Sequence, residues 1–326
     1  MVWDDFIKGS DGNVAPAWYR WAMAFERKPL QNEFSWSKSR HGKLDECPRQ
    51  YWFHYYGSWG GWERTASPEV KELYTLKKLT SRHAWNGSAV HDAIQRILTL
   101  VRDGHPFDPD QVLSQVRASM RAQFRESRDK SYRVRKAFGL VEHEYDEPIP
   151  DEEWRAGWEL VESCLRAFFS SRWLEIAKGL PADAWLPIDE LGSFVHEGTK
   201  IYAAPDFAYR TGGGVVVVDW KTGKPRESDE EQLLGYALYA RATWDVPLEK
   251  VECRVVYLPS LDETPVPIDA GSIRGFEERM NASIAHMRGL LDDREANTAS
   301  ASSFPKTDAE RTCARCAFRR PCLGTA

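Results

Sequence analysis

The chain has 326 residues and a mass of 37.4 kDa, enough for a large core, with 42% hydrophobic and 29% charged residues, the balance of an ordinary globular protein. A net charge of −5 excludes a blanket polyanion binder, so any contact with nucleic acid has to come from local patches. No apolar run reaches the length of a membrane span, and the acidic opening Met1-Val-Trp-Asp-Asp5 is unlike a signal peptide, which points to a cytoplasmic protein with no membrane partner.

Residues 1–34 mix Trp, Pro, Gly and charge without a period and read as an N-terminal arm. Ser35–Tyr56 follows as SWSKSRHGKLDECPRQYWFHYY; Ser37 can cap a helix with Leu44 on its inner side, and Pro48 implies a break just after Cys47. Trp85–Asp103 reads as an amphipathic helix with Asn86 as N-cap and Val90, Ile94, Ile97, Leu98 and Val101 as its stripe; His91 lies beside that stripe. Two further long helices are expected over Asp110–Lys130 and Asp151–Lys178, so residues 105–185 form a helical insertion. The basic cluster Arg121, Arg125, Arg128, Lys130, Arg133, Arg135 and Lys136 reads either as a solvated face or as a track for phosphates.

The second half changes character. Leu186–His196, Lys200–Tyr209, Val215–Lys221 and Val251–Leu258 are strand-like, with helices expected over Asp229–Trp244 and Ser272–Glu295. That order predicts an α/β protein: a mixed sheet flanked by helices, preceded by a helical region, in one domain over 35–326.

The centre is the pair KIYAAPDFAY and VVVVDWK, joined by Arg210-Thr-Gly-Gly-Gly214. If Thr211–Gly214 is the loop and Arg210 pairs with Val215, Asp206 falls opposite Asp219, where like charges repel at close range. Lys221 shares the face of Asp219 by the strand period. Two acids and a lysine converging suggest a hard divalent metal and an anionic substrate; an ordinary cross-strand ion pair gives the same pattern.

Six cysteines are present. Cys164 and Cys253 fall inside a helix and a strand and read as buried thiols. Cys313-Ala-Arg-Cys316 and Cys322 lie together among Arg311, Arg315, Arg319 and Arg320, and close spacing in a cytosolic chain favours a metal over a disulfide. Cys47 is the natural fourth ligand, and an all-thiolate site suits zinc or a [4Fe–4S] cluster; either would clip the N- and C-terminal regions together.

Taken jointly, these motifs resemble the RecB-type branch of the PD-(D/E)XK nuclease superfamily, within it the iron–sulfur exonucleases that include CRISPR-associated RecB-like exonucleases and AddB-type nuclease domains. Cys47-Pro48, Gly87-Ser-Ala-Val-His91, Pro205-Asp206, Asp219-Trp220-Lys221-Thr-Gly223, Gln232-Leu-Leu-Gly-Tyr236 and the triplet Cys313, Cys316, Cys322 follow the family order. The chain departs from the pattern at Tyr202-Ala-Ala-Pro-Asp206, where a Gly commonly precedes the acid.

The resemblance implies a restriction-endonuclease-like sheet. His91, Asp206, Asp219 and the Trp220 carbonyl would ligate Mn²⁺ or Mg²⁺. Lys221 would act on the attacking water and the phosphate, Gln232 and Tyr236 would orient Lys221 or the nucleic acid, and Glu190 would assist from the preceding strand. It implies a [4Fe–4S] cluster on Cys47, Cys313, Cys316 and Cys322, with zinc as the alternative. The substrate would be single-stranded DNA or DNA ends, in repair or phage defence, with a helicase or a CRISPR-type defence complex as partner. The rival readings are a non-cutting DNA-binding or scaffold subunit and a zinc-stapled structural protein.

Overall fold

The computed structural model describes residues 30–258 and 260–324, so the arm expected at 1–34 lies almost wholly outside the described residues. Phe34–Ala326 forms one unit. It enters with β1 (Ser35–Trp36) and α1 (Lys38–Glu46), capped by Ser37, whose Oγ accepts from the Arg40 N–H at 3.2 Å. Pro48 breaks the helix as expected and starts α2 (Pro48–Trp52), which runs on as a π-turn over Phe53–Gly57.

The helical half contains α3 (Pro68–Lys77), α4 (Arg82–Arg102), α5 (Pro109–Arg128), α6 (Val141–Glu144), α7 (Asp151–Phe169) and α8 (Arg172–Gly179). Three details differ from the sequence reading. The cap of α4 is Ser81, which accepts from the Ala84 N–H at 3.3 Å, and Asn86 lies buried a turn inside the helix. The helix expected over Asp151–Lys178 breaks at Ser170-Ser171, because Ser171 turns its hydroxyl to the Leu174 N–H and caps α8. The basic cluster is largely paired: Arg128 with Asp129, Lys130 with Asp146, Arg133 with Glu72 and Glu144, Arg135 with Glu126.

The strands are β2 (Gly192–His196), β3 (Thr199–Ala203), β4 (Phe207–Arg210), β5 (Val215–Lys221), β6 (Val251–Tyr257) and β7 (Asp262–Val266). α9 (Glu227–Trp244) crosses from β5 to β6, and α10 (Ala270–Gly289), α11 (Glu310–Arg315) and α12 (Arg319–Leu323) complete the chain. α10 ends at Gly289, short of the expected Glu295; beyond it the Asp293 carboxylate accepts from the Glu295 and Ala296 N–H groups and holds a turn.

Two mixed sheets form where the sequence suggested one: β1-β3-β2 and β4-β5-β6-β7. The expected strand Lys200–Tyr209 is divided at Ala204-Pro205, since proline cannot donate to a ladder, and the chain changes sheet there. Within the larger sheet β5 pairs antiparallel with β4 and parallel with β6.

β5 is buried on both faces, which is why it reads as a continuous valine run. Val215 and Val217 face a core shared with α9, α10 and the smaller sheet. Val216, Val218 and Trp220 face a second core built by α4, α5, α7 and α8. This mixed α/β architecture, sheets flanked by helices, agrees with the restriction-endonuclease-like sheet that the family resemblance implies. A third cluster joins Phe53, Leu73 and Leu76 to Cys316 and Phe318. No helix among the described residues is long and apolar enough to cross a membrane.

Candidate active site

The Thr-Gly-Gly-Gly turn sets Arg210 opposite Val215, and the ladder runs to Phe207 opposite Val218. Asp206 and Asp219 are therefore the next pair, one step past the last bonded one. Alternation along β5 puts Asp219 and Lys221 on the face of Val215 and Val217, toward α9. Both acids are sequestered: Asp206 is 8% exposed and Asp219 1%.

Each carboxylate is held differently. Asp206 Oδ2 accepts the Trp220 backbone N–H at 2.7 Å, and Oδ1 lies 3.1 Å from His91 Nδ1 on α4. Lys221 Nζ approaches Asp219 Oδ2 to 2.5 Å, yet the alignment leaves that buried oxygen without a hydrogen bond. Lys221 Nζ also donates to Gln232 Oε1 at 2.9 Å, Gln232 Nε2 to the Tyr236 hydroxyl at 2.6 Å, and that hydroxyl to the Ala204 carbonyl at 2.8 Å. Gln232 and Tyr236, one turn apart on α9, thus tie the lysine back to the point where the chain changes sheet.

The electrostatics follow from crowding. Burial and the neighbouring Asp206 hold the Asp219 carboxyl above the usual carboxylate range, with Lys221 opposing. Burial would lower His91, but its contact with Asp206 and the charge of Asp219 outweigh this and push it up to about 9. Burial, then Asp219 and Asp206, keep the Tyr236 hydroxyl protonated. Two carboxylates are thus offset by an imidazolium and an ammonium.

Among the described residues, no three His, Cys, Asp or Glu side chains are drawn together as a chelating group. His91 and Asp206 are bonded to each other instead. The donor types nevertheless fit a small divalent cation: a buried Asp219 oxygen without a hydrogen bond, a second carboxylate and an imidazole, where His91 and Lys221 now supply the positive charge a cation would bring.

A cavity of about 710 Å³ opens beside this group and is walled by Asp206, Gln232 and Tyr236, with Lys38 and Arg40 at the start of α1. Asp189 also lines it, at φ +47°, its carboxyl raised by burial and by Asp206. The sequence reading chose Glu190, which is exposed and lies before β2 begins. A left-handed backbone at Asp189 leaves no pattern by which counting could have found it. The Trp220 side chain points to the opposite core, against Phe168, Trp173 and Phe207.

The other predicted group sits elsewhere. Cys47, at the break between α1 and α2, lines a cavity of about 40 Å³ with Cys313, Cys316 and Cys322. All are free thiols. Burial pushes Cys316 up to about 11 and raises Cys322 as well, so these two thiols are not turned into thiolates by their surroundings. Four thiols line this one small cavity and are the donor type a soft metal takes, although no three of them stand together as a chelating group among the described residues. Cys164 and Cys253 are buried, as expected.

No curated protein matches the chain. A solved structure titled "Crystal structure of SSO0001" is similar at 15% identity and a TM-score of 0.25, covering 57% of this chain and 93% of that one, a level that carries no structural argument. The profile of the PD-(D/E)XK nuclease superfamily, by contrast, matches residues 35–323, from β1 through α12, and so takes in both acids, the lysine and the helices around them. This protein belongs to the PD-(D/E)XK nuclease superfamily.

Proposed function

We propose that the protein, a nuclease by its superfamily, is a DNA exonuclease acting on single strands or DNA ends. Nucleases of this superfamily use divalent cations such as Mg²⁺ or Mn²⁺, and DNA is the substrate class it implies. The observation that carries the reading is the pairing of His91 with Asp206 beside the run Asp219–Lys221–Gln232–Tyr236, an ion pair followed by two hydrogen bonds.

Asp206, Asp219, His91 and the Trp220 carbonyl are the groups that would hold the cation. When bound, it supplies Lewis acidity and a water of lowered pKa. To serve as a ligand, His91 would have to release to solvent the proton it holds against Asp206. Lys221, aimed by Gln232, carries positive charge to the phosphate as charge develops there, and Tyr236 fixes Gln232. The cysteine cavity is read as a [4Fe–4S] site, with zinc as the other occupant that four thiolates suit. Work beside a helicase or in a CRISPR-type defence complex, in repair or phage defence, rests on the family resemblance.

The test is cleavage of end-labelled single- and double-stranded DNA with Mn²⁺ or Mg²⁺, wild type beside Lys221→Ala. The variant should keep its fold and lose on the order of 10²–10³ in kcat. Circular single strands should stay intact. A variant as active as wild type would overturn the lysine assignment, and cut circles would overturn exonuclease action.

A further inference from the structure

α4, α5 and α7 leave a second cleft, of about 190 Å³, lined by Trp85, Asn86, Phe124, Trp154 and Trp158 with Arg117, Arg121 and Arg155. It lies apart from both sites above. Its floor is Asn86, 7% exposed, whose side-chain amide makes no hydrogen bond among the described residues. Its amide atoms are not enclosed like the orphaned Asp219 oxygen but open on the cleft, where donor and acceptor are both available to a ligand. The close fit over it depends on Gly157 of α7: a Cβ there would stand 2.7 Å from Asn86 Nδ2.

The walls narrow the chemistry. Trp154 and Trp158 are half-buried, and the guanidinium of Arg117 lies 5.3 Å from the centre of the Trp158 ring. Arg117, Arg121 and Arg155 are exposed and make no ion pair among the described residues, whereas Arg128, Lys130, Arg133 and Arg135 further along are all paired. Flat aromatic faces, unneutralised guanidinium groups and an amide offering donor and acceptor together are the three features that take a nucleotide: rings stack on the base, arginines meet phosphates, and the amide reads the base edge. At about 190 Å³ the cleft is smaller than the roughly 300–1,000 Å³ of pockets for whole ligands, which suits one base turned inward with its backbone outside.

The cleft also neighbours the chemistry. Gly87, next to Asn86, packs on Thr222 Oγ1, just past Lys221, and would bring a Cβ within 3.4 Å of it. Asn86 and His91 share α4 but point about 140° apart around its axis. One helix thus faces the acid pair on one side and the arginine-lined cleft on the other.

We propose that this cleft binds one unpaired nucleotide of a single-stranded DNA substrate, gripping the strand to the side of the cutting centre. The proposal rests on the reading of the protein as a DNA nuclease and adds where an unpaired base is held.

The experiment measures binding of fluorescently labelled dT12, of an abasic strand of equal length and of a 12-bp duplex, in EDTA so that nothing is cut. Wild type is compared with Arg121→Glu/Arg155→Glu, Trp158→Ala and Asn86→Ala, each checked for folding by circular dichroism. The charge reversals should raise Kd for dT12 at least tenfold and flatten its salt dependence by about 0.7 in log–log slope per lost phosphate contact. Trp158→Ala should weaken dT12 on the order of tenfold and leave the abasic strand unchanged. Folded variants that bind dT12 like wild type overturn the proposal, as does equal weakening of the duplex. Displacement of dT12 by free dTMP at equal concentration would mean a free nucleotide is the ligand and would overturn the strand assignment. Hydrolysis of bis(p-nitrophenyl) phosphate by wild type reads the cutting centre by itself, so its absence counts against the nuclease reading and not against the cleft.

Discussion

Burial strips His54 of its charge. Burial first, then Lys43, Lys77 and Arg40, lower it from 6.5 to about 3, and its Nδ1 is enclosed without a hydrogen-bond partner. The unfolded chain therefore binds a proton below pH 6.5 that the folded chain refuses, and stability falls as pH drops from 6.5 toward 3. Urea unfolding at pH 7 and pH 5 should show a loss of up to about 2 kcal/mol from this one side chain, at roughly 1.4 kcal/mol per pH unit. His54→Leu should flatten the decline by that amount; an unchanged pH profile would refute the assignment. At this scale the sequence was readable where geometry is periodic. Asp206 and Asp219 were matched by counting from a turn, and Ser37 by its place ahead of a short helix with Leu44 on its inner side. Ser81 escapes such a reading because Asn86, also a capping residue type, stands nearer the stripe that begins at Val90. Asp189 enters the cavity through a positive φ, which only the folded backbone shows.

Among the elements, the β4–β5 turn has three consecutive glycines, and only one meets a steric demand. A Cβ at Gly214 would stand 2.0 Å from the Lys250 carbonyl oxygen, where β6 begins, while Gly212 and Gly213 have nothing within 4 Å. Gly214→Ala should destabilise by about 1–3 kcal/mol, as overpacking does, and Gly212→Ala and Gly213→Ala should be near neutral. Thermal unfolding of the three variants decides it; equal losses would show that the turn needs glycine for its backbone angles instead. The strand register was legible because this turn fixes it. The division of Lys200–Tyr209 between two sheets was not, because Pro205 breaks a ladder without saying which partner each half takes. Likewise α3 was missed: its two buried positions, Leu73 and Leu76, make too short a stripe to stand out.

Over the whole molecule, segments remote in sequence are fastened near the cysteine cavity. Phe53 stacks on Phe318 at 5.2 Å between ring centres, Arg49 Nε donates to the Phe304 carbonyl at 2.8 Å, and Arg319 and Arg320 reach Glu147 and the buried Glu144. On the reading of that cavity as an iron–sulfur site, anaerobically purified wild type should be brown with about four irons per chain, and Cys316→Ser should be colourless, less soluble and lower in Tm. Colourless wild type with one zinc would assign zinc, and wild type without metal, as stable as the variant, would remove the centre. The same fastening has a consequence during synthesis. Trp36 Nε1 bonds Ser283 Oγ at 3.0 Å and Trp52 Nε1 the Ala299 carbonyl at 2.7 Å, each across 247 residues. On a ribosome adding about 5–20 residues per second, these tryptophans emerge roughly 12–50 s before their partners exist. For that interval the nascent chain presents unsheltered Trp36, Tyr51 and Trp52, and the enzyme depends on whatever shields an unfinished chain until its last helices are made.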